Sequence, residues 1–514
     1  MGLMELGLHG NHQTHYRVSP AGSVNRGGED MGLIRVAVWC ATVMALLPLS
    51  VAAQVRDALL PGGAPPGMTA SVFAAGMVSS GAQEHGITVN EDCDTVLLNE
   101  MIRRIRDGEY QNIHSVLVLN GDSLVLEEYF GAYDADTPHQ LRSATKAIGS
   151  ILVGIAIDRG IVTSEEAPVY EYFKEDYEPT YGWTDRARSV RIRDLLSMTS
   201  GYDCDDLATP AFACEHAMYE TDDWVQYSLD LPIVHARGEY WAYNSSSLIL
   251  AGEAIARSSG MPLEEFADAY LFGRLGIERF QWAVSPQGRA WIGGGARMVP
   301  VDMAKIGQLM LNGGVWEGRR LLSERWIEMS TRPQAEYHAG VDYGFIWQLG
   351  QFFLGGELIP AYWASGNGGQ YIVVFPAHDL VVVFTGGNYD SPLAGQPFQL
   401  LDRYILPALL HPPSDPSAVL AANQLERLTG TYHLDFEPAA TCLVEVHAKG
   451  LRMLTPDQEY VELRSHSPYW FSGDSQWGRI TVVFDENGAD QVARLTVYGA
   501  GSRFVFQRSG DRRP

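Results

Sequence analysis

Ser143-Ala-Thr-Lys146 sets a hydroxyl and an amine three positions apart. On a helix that spacing places both side chains on one face, within reach of a shared proton. A serine attacks a carbonyl only when a base takes its proton, and a lysine can serve where burial disfavours its charged form. Arginine could not, because its guanidinium stays protonated. The chain has just four lysines, Lys146, Lys174, Lys305 and Lys449, among 37 basic residues. Where lysine is this scarce, its place beside a serine reads as a base that arginine cannot replace. The tetrad implies a nucleophile–base pair for acyl transfer.

Other chemistries find no pattern. There is no Gly-x-Ser-x-Gly elbow, which disfavours an α/β-hydrolase. None of the 14 histidines falls in a metal spacing such as His-Glu-x-x-His, and no phosphate loop or dinucleotide fingerprint occurs. No metal and no cofactor are therefore expected. A net charge of −25 would repel phosphates and argues against nucleic acid as a partner.

The tetrad opens the most apolar stretch after the leader, Ser143–Asp158, with Ala147, Ile148, Ile151, Leu152 and Ile155 at helical spacing and Gly160 as a stop. Apolar nearly all round, it predicts a buried central helix. Ahead of it, His114–Leu119 and Leu124–Phe130 flank Asn120-Gly121-Asp122, a hairpin signal. Residues 165–330 carry helical patterns and long loops, including Pro300–Leu311. Strand patterns return at Gln370–Phe375 and Leu380–Thr385, and the apolar Phe398–Leu410 follows as a helix. Strands at both ends with helices between predict an α/β (α+β) fold, one antiparallel sheet flanked by helices with an inserted helical subdomain. Pro412-Pro-Ser-Asp-Pro-Ser417 marks a linker, placed at 413–418. Residues 419–514 alternate in short segments, predicting a small all-β barrel or sandwich. Within it Tyr469-Trp470-Phe471 reads as core rather than as a cofactor box.

Residues 31–53 have a single Arg35, an apolar run and a small-residue end at Val51-Ala52-Ala53. That is the layout of a signal peptide cleaved before Gln54, with residues 1–30 as a start-site extension and 54–89 as a poorly ordered lead-in. An uncleaved anchor is the competing reading, disfavoured by the short apolar stretch. Export implies a periplasmic or secreted protein. Cys204 and Cys214 flank a short loop and fit a disulfide in an oxidising compartment. A metal site there is the weaker reading, since no Cys-x-x-Cys or histidine pair accompanies them.

LRSATKAIGSILVGIAIDRG, with VRIRDLLSMTSGYD downstream, resembles the serine β-lactamase and penicillin-binding-protein superfamily. The likeness is to the side holding class C β-lactamases, esterases and 6-aminohexanoate-dimer hydrolases. It runs from about residue 90 to 412 and takes in GGGARMVPVDMAKIGQLMLNGG and YGFIW. The resemblance implies a Ser143 acyl-enzyme with Lys146 as base. It also implies a second box at Tyr243-Asn244-Ser245, where Tyr243 relays the proton to the leaving group. A phenol near a cation ionises more readily, which suits that task. Ser245 stands where lactamases often carry an asparagine that holds a substrate amide. The third box falls at Ala364-Ser365-Gly366, with Ser365 and Gly366 lining substrate and Ala364 lacking the family's cation. The N–H groups of Ser143 and Asn367 would form the oxyanion hole.

These readings predict a serine hydrolase acting on a small ester or linear amide. The alternatives are a class C-like β-lactamase or D-alanyl-D-alanine peptidase, whose lactam or peptide carboxylate needs the missing cation. From another class comes a catalytically silent penicillin-binding-like sensor, which would have no need of Ser143, Lys146 and Tyr243 together.

Overall fold

A computed structural model describes residues 69–72, 86–87, 93–208, 211–338, 340–410, 420–448, 450–476, 478–487 and 491–509. The expected leader at 1–53 and the linker at 413–418 lie outside these. Among the described residues no helix is long and apolar enough to cross a membrane.

A nine-stranded antiparallel sheet forms the centre. The hairpin Ile113–Asn120/Ser123–Tyr129 pairs through its first strand with Leu380–Gly386, so residues far apart in sequence close one sheet. Gln370–Phe375, Glu357–Gly366 and Gln348–Leu354 continue it outward. Alternation along these strands builds two cores. Leu117, Ile372, Val374, Val381 and Val383 pack toward the helices Thr145–Asp158 and Pro300–Leu311. Val116, Val118, Val373, Val382 and Phe384 pack toward Thr95–Arg106 and the helical segment Gln396–Leu410. A side chain of this size buried from water contributes about 1.5–3 kcal/mol before entropy is counted. Both faces are therefore needed to hold a sheet of this width.

The helix Thr145–Asp158 is buried from Thr145 through Ala156, as its all-round apolar character predicts. It begins later than the sequence pattern does. Ser143 sits in the short 3-10 turn Arg142–Ala144 that precedes it, and Arg142 takes φ +52°. A second, four-stranded sheet fixes that turn from outside. His139–Gln140 pairs with Ala296–Met298, and the Leu141 N–H donates to the Ala296 carbonyl at 2.9 Å. The lead-in at 54–89, read as poorly ordered, contributes two short strands. Thr69–Val72 pairs with Phe280–Val284, and Gly86–Ile87 pairs with Ser123–Tyr129.

The C-terminal part is a closed eight-stranded barrel from Gly430–Leu434 to Ser502–Arg508. Closure leaves no free sheet edge. Of the three aromatics read as core, Phe471 is fully buried, Trp470 is half-buried against Phe353, and Tyr469 is exposed.

Candidate active site

Lys146 is 1% exposed. Its Nζ donates to Ser143 Oγ at 2.8 Å and to the Gly293 carbonyl at 2.6 Å. The amine lies 4.9 Å from the centre of the Tyr243 ring and 6.0 Å from that of Trp291. Two backbone features make this possible. The 3-10 turn Arg142–Ala144, running straight into the helix, brings the 143/146 pair onto one face. The small outer sheet brings the Gly293–Gly295 segment alongside, because its strand Ala296–Met298 pairs with the residues just before Ser143. A Cβ on Gly293 would sit 2.2 Å from the Trp291 ring, so only glycine lets the chain pass there. Trp291 is itself pinned, its Nε1 donating to the Ser245 carbonyl at 3.2 Å.

Ser143 opens into a cavity of about 170 Å³. Drug-sized sites run to roughly 300–1,000 Å³, so this one suits a small group. Tyr243, Ser365, Gly366 and Asn367 share its wall. Gly366 lies where a Cβ would meet the Leu141 carbonyl at 2.1 Å, and this close approach sets the strand Glu357–Gly366 beside the serine turn. The Asn367 amide donates to the Asp390 carboxylate at 2.7 Å, and the Asp390 N–H donates back to Asn367 Oδ1 at 2.9 Å, which locks that corner. Leu207, Phe212, Trp363 and Phe398 make most of the remaining wall apolar. Burial first, and Tyr243 after it, hold the Tyr337 phenol above its ordinary pKa. Burial alone does so for Tyr371, so these two wall phenols stay neutral.

Of the expected site residues, Ser143, Lys146, Tyr243, Ser365, Gly366 and Asn367 are brought together. Ser245 is not. It is 0% exposed and lies outside the cavity wall, so its side chain is not placed to meet a substrate. Its N–H donates to Asp206 and its carbonyl accepts from Trp291, and these two bonds turn the residue inward. Cys204 and Cys214 form a disulfide. Their sulfurs and the Asp206 carboxylate lie within 4.8 Å of one another, but sulfurs joined to each other are not thiolate ligands.

Several contributors carry no signal of residue type. Gly293 acts through its carbonyl, and Ala500 and Ser502 reach the cavity wall from the barrel. The glycine run at 293–295 was the one available hint.

A broad antiparallel sheet, a buried helix preceded by the Ser143 turn and a small cleft beside them define the class: a hydrolase of the β-lactamase fold. The family model described as Beta-lactamase matches residues 108–394, more than half of the chain, and the chain belongs to that family. A 6-aminohexanoate-dimer hydrolase from Paenarthrobacter ureafaciens is 26% identical over 286 residues, covering 52% of this chain and 70% of that protein. A monacolin J acid methylbutanoyltransferase from Aspergillus terreus is 29% identical over 156 residues, 28% of this chain and 37% of the transferase. Among solved structures, a proposed 6-aminohexanoate-dimer hydrolase from Bacillus anthracis has the same fold. Its TM-score is 0.50 at 18% identity, over 62% of this chain and 83% of that one.

Proposed function

We propose that this chain hydrolyses small neutral esters or linear amides through an acyl-enzyme on Ser143. The observation that carries the reading is the buried Lys146 amine, 2.8 Å from Ser143 Oγ and steadied by the Gly293 carbonyl. In its neutral form the amine accepts the Ser143 proton as Oγ bonds to the substrate carbonyl carbon. The carbonyl oxygen takes the negative charge, facing the N–H groups of Ser143 and Asn367. As the bond to the leaving group breaks, the proton passes from Lys146 through Tyr243 to the departing oxygen or nitrogen. Water then attacks the acyl carbon and gives up its proton by the same route. The acid is released and Ser143 regains its hydrogen.

Neutral substrates are favoured because the described wall of the cavity includes no lysine or arginine, and its charged member is Asp390. Ala364 is buried in the core shared with the serine helix and offers no cation to a substrate carboxylate. A charge-assisted hydrogen bond is worth about 1.5–3 kcal/mol, or roughly one to two decades of specificity. One relative is named as a hydrolase of a 6-aminohexanoate dimer, the fungal one as a methylbutanoyltransferase. Both fit an acyl-serine that differs only in what accepts the acyl group.

One panel tests this. Intact-mass measurement after a fluorophosphonate should show one adduct, mapped to Ser143. On the same preparation, kcat/KM for a short-chain p-nitrophenyl ester should exceed that for a chromogenic cephalosporin. A cephalosporin value at or above the ester value restores β-lactamase as the better reading, and an adduct on another serine removes Ser143 from the mechanism.

A further inference from the structure

Tyr243 belongs to no helix or strand: residues 241–244 are irregular, and the next helix starts at Leu248. Proton transfer to a leaving group depends on placement to a fraction of an ångström, so something must hold this stretch. Part of the hold comes from Met198, whose carbonyl accepts from the Ala242 N–H at 2.9 Å. The rest comes from Asp206, which is 0% exposed. Its N–H donates to the Tyr243 carbonyl at 2.7 Å, and its Oδ2 accepts from the Ser245 N–H at 2.8 Å. One residue therefore grips the chain on both sides of the tyrosine.

The same aspartate faces a second element. Its Oδ1 accepts from the Glu215 N–H at 3.1 Å, and its carbonyl accepts from the Phe212 N–H at 2.7 Å. Two residues before it, Cys204 is joined to Cys214. Leu207 and Phe212, in the segment this disulfide spans, line the cavity. Burial raises the Asp206 pKa, and the charge of Glu215 adds to that rise, since it is of like sign. A buried carboxyl group with an acidic neighbour is costly to keep unless its hydrogen bonds do something. Here they tie the cleft wall to the tyrosine segment.

We propose that Asp206 is the positioning residue for Tyr243, held in register by the Cys204–Cys214 bridge, and that the pair sets how well the enzyme expels poor leaving groups. This rests on the reading that Tyr243 delivers the leaving-group proton. Its signature lies in the leaving group. A p-nitrophenolate departs without a proton, whereas an alkoxide needs one. Mispositioning Tyr243 should therefore depress acylation by the alkyl ester and largely spare acylation by the nitrophenyl ester, while the deacylation step is common to both.

The test measures kcat/KM, which reports acylation alone, for an ethyl ester and a p-nitrophenyl ester of the same short acid. The proteins are the wild type, Tyr243→Phe, Asp206→Asn and the double variant. Asparagine keeps the size of aspartate but offers one acceptor where two backbone N–H groups need one each. Asp206→Asn should lower kcat/KM on the ethyl ester by about ten- to a hundred-fold. The nitrophenyl ester should lose far less, and the double variant should fall no further than Tyr243→Phe. If Tyr243→Phe leaves the ratio of the two esters unchanged, the tyrosine reading fails and takes this proposal with it. If Tyr243→Phe shifts the ratio but Asp206→Asn does not, or if Asp206→Asn depresses both esters equally, Asp206 is not the positioning residue. Should Asp206→Asn not fold, the wild type reduced with a phosphine is compared with the oxidised protein. The ratio should move in the same direction, and an unmoved ratio overturns the proposal.

Discussion

Lys146 sits where a change of one functional group separates two roles for its amine. Its Nζ touches Ser143 Oγ and the Gly293 carbonyl, with Tyr243 and Trp291 beside it. Lys146→Arg keeps a positive charge and most of the stem but leaves no group able to accept the serine proton. If the amine is the base, acylation should fall by about 10²–10⁴-fold, nearly as far as in Lys146→Ala. Stopped-flow acylation with a p-nitrophenyl ester reads this directly, and an arginine variant near the wild-type rate would leave Lys146 only an electrostatic part. This pair was legible in the sequence because two reactive residue types lay on one helical face. Tyr243 took its role from resemblance alone, since nothing in its neighbourhood marks a tyrosine before a helix. Ser245 was misplaced for a physical reason: its importance is in its backbone, and backbone bonds leave no trace in residue type. Asp206 was missed likewise, as one of two adjacent aspartates in CDDLATPAFAC.

The elements that aim these side chains were legible to different degrees. Both core hairpin strands, the helix Pro300–Leu311 and the return of distant strands to one sheet followed from period-2 and period-3.6 patterning. The small outer sheet did not. Its strands Ala296–Met298 and His139–Gln140 are too short to show a period, yet they bring the 293–295 glycines to the lysine. The barrel strand Trp470–Ser475 shows no clean alternation because Gly473-Asp474 interrupts it. The glycine segment yields an element-scale prediction. In Gly293→Ala the new methyl meets the Trp291 ring at 2.2 Å, and the ring cannot swing away without breaking its bond to the Ser245 carbonyl. Overpacking of this kind costs about 1–3 kcal/mol, and the displaced carbonyl would release Lys146. Tm and kcat should fall together in Gly293→Ala. Gly294→Ala, whose Cβ would lie 3.0 Å from the same ring, should do less on both counts. Equal effects at the two positions would show that the Gly293 carbonyl has no special part.

At the scale of the whole molecule, the barrel is part of the cleft. Its last hairpin turns at Ala500-Gly501, both at positive φ (+50° and +75°), the geometry that a tight two-residue turn between twisted strands requires. The turn presses on the sheet: the Gln351 N–H donates to the Gly501 carbonyl at 3.1 Å, and Phe353 packs on Trp470 and Tyr498. Ala500 and Ser502 thereby close one side of the Ser143 cavity. Beneath the turn is Asp402, in the π-helical turn Leu401–Ile405, with the Ala500 N–H as a hydrogen-bond donor. Burial pushes its carboxyl up to about 7, against the pull of that N–H and of Arg479 and Arg403. Because the raised value belongs to the docked state, docking binds a proton that the separated parts would release above the ordinary carboxylate range. The stabilisation is thus complete below about pH 4, where the group is protonated in either state, and is lost as pH climbs through 7. Asp402→Asn keeps the shape and an acceptor for Ala500 but cannot ionise. The variant should match the wild type in Tm at pH 5 more nearly than at pH 8, where it should be the more stable of the two. Parallel Tm curves for the two proteins between pH 5 and pH 8 would mean that Asp402 does not titrate at this interface.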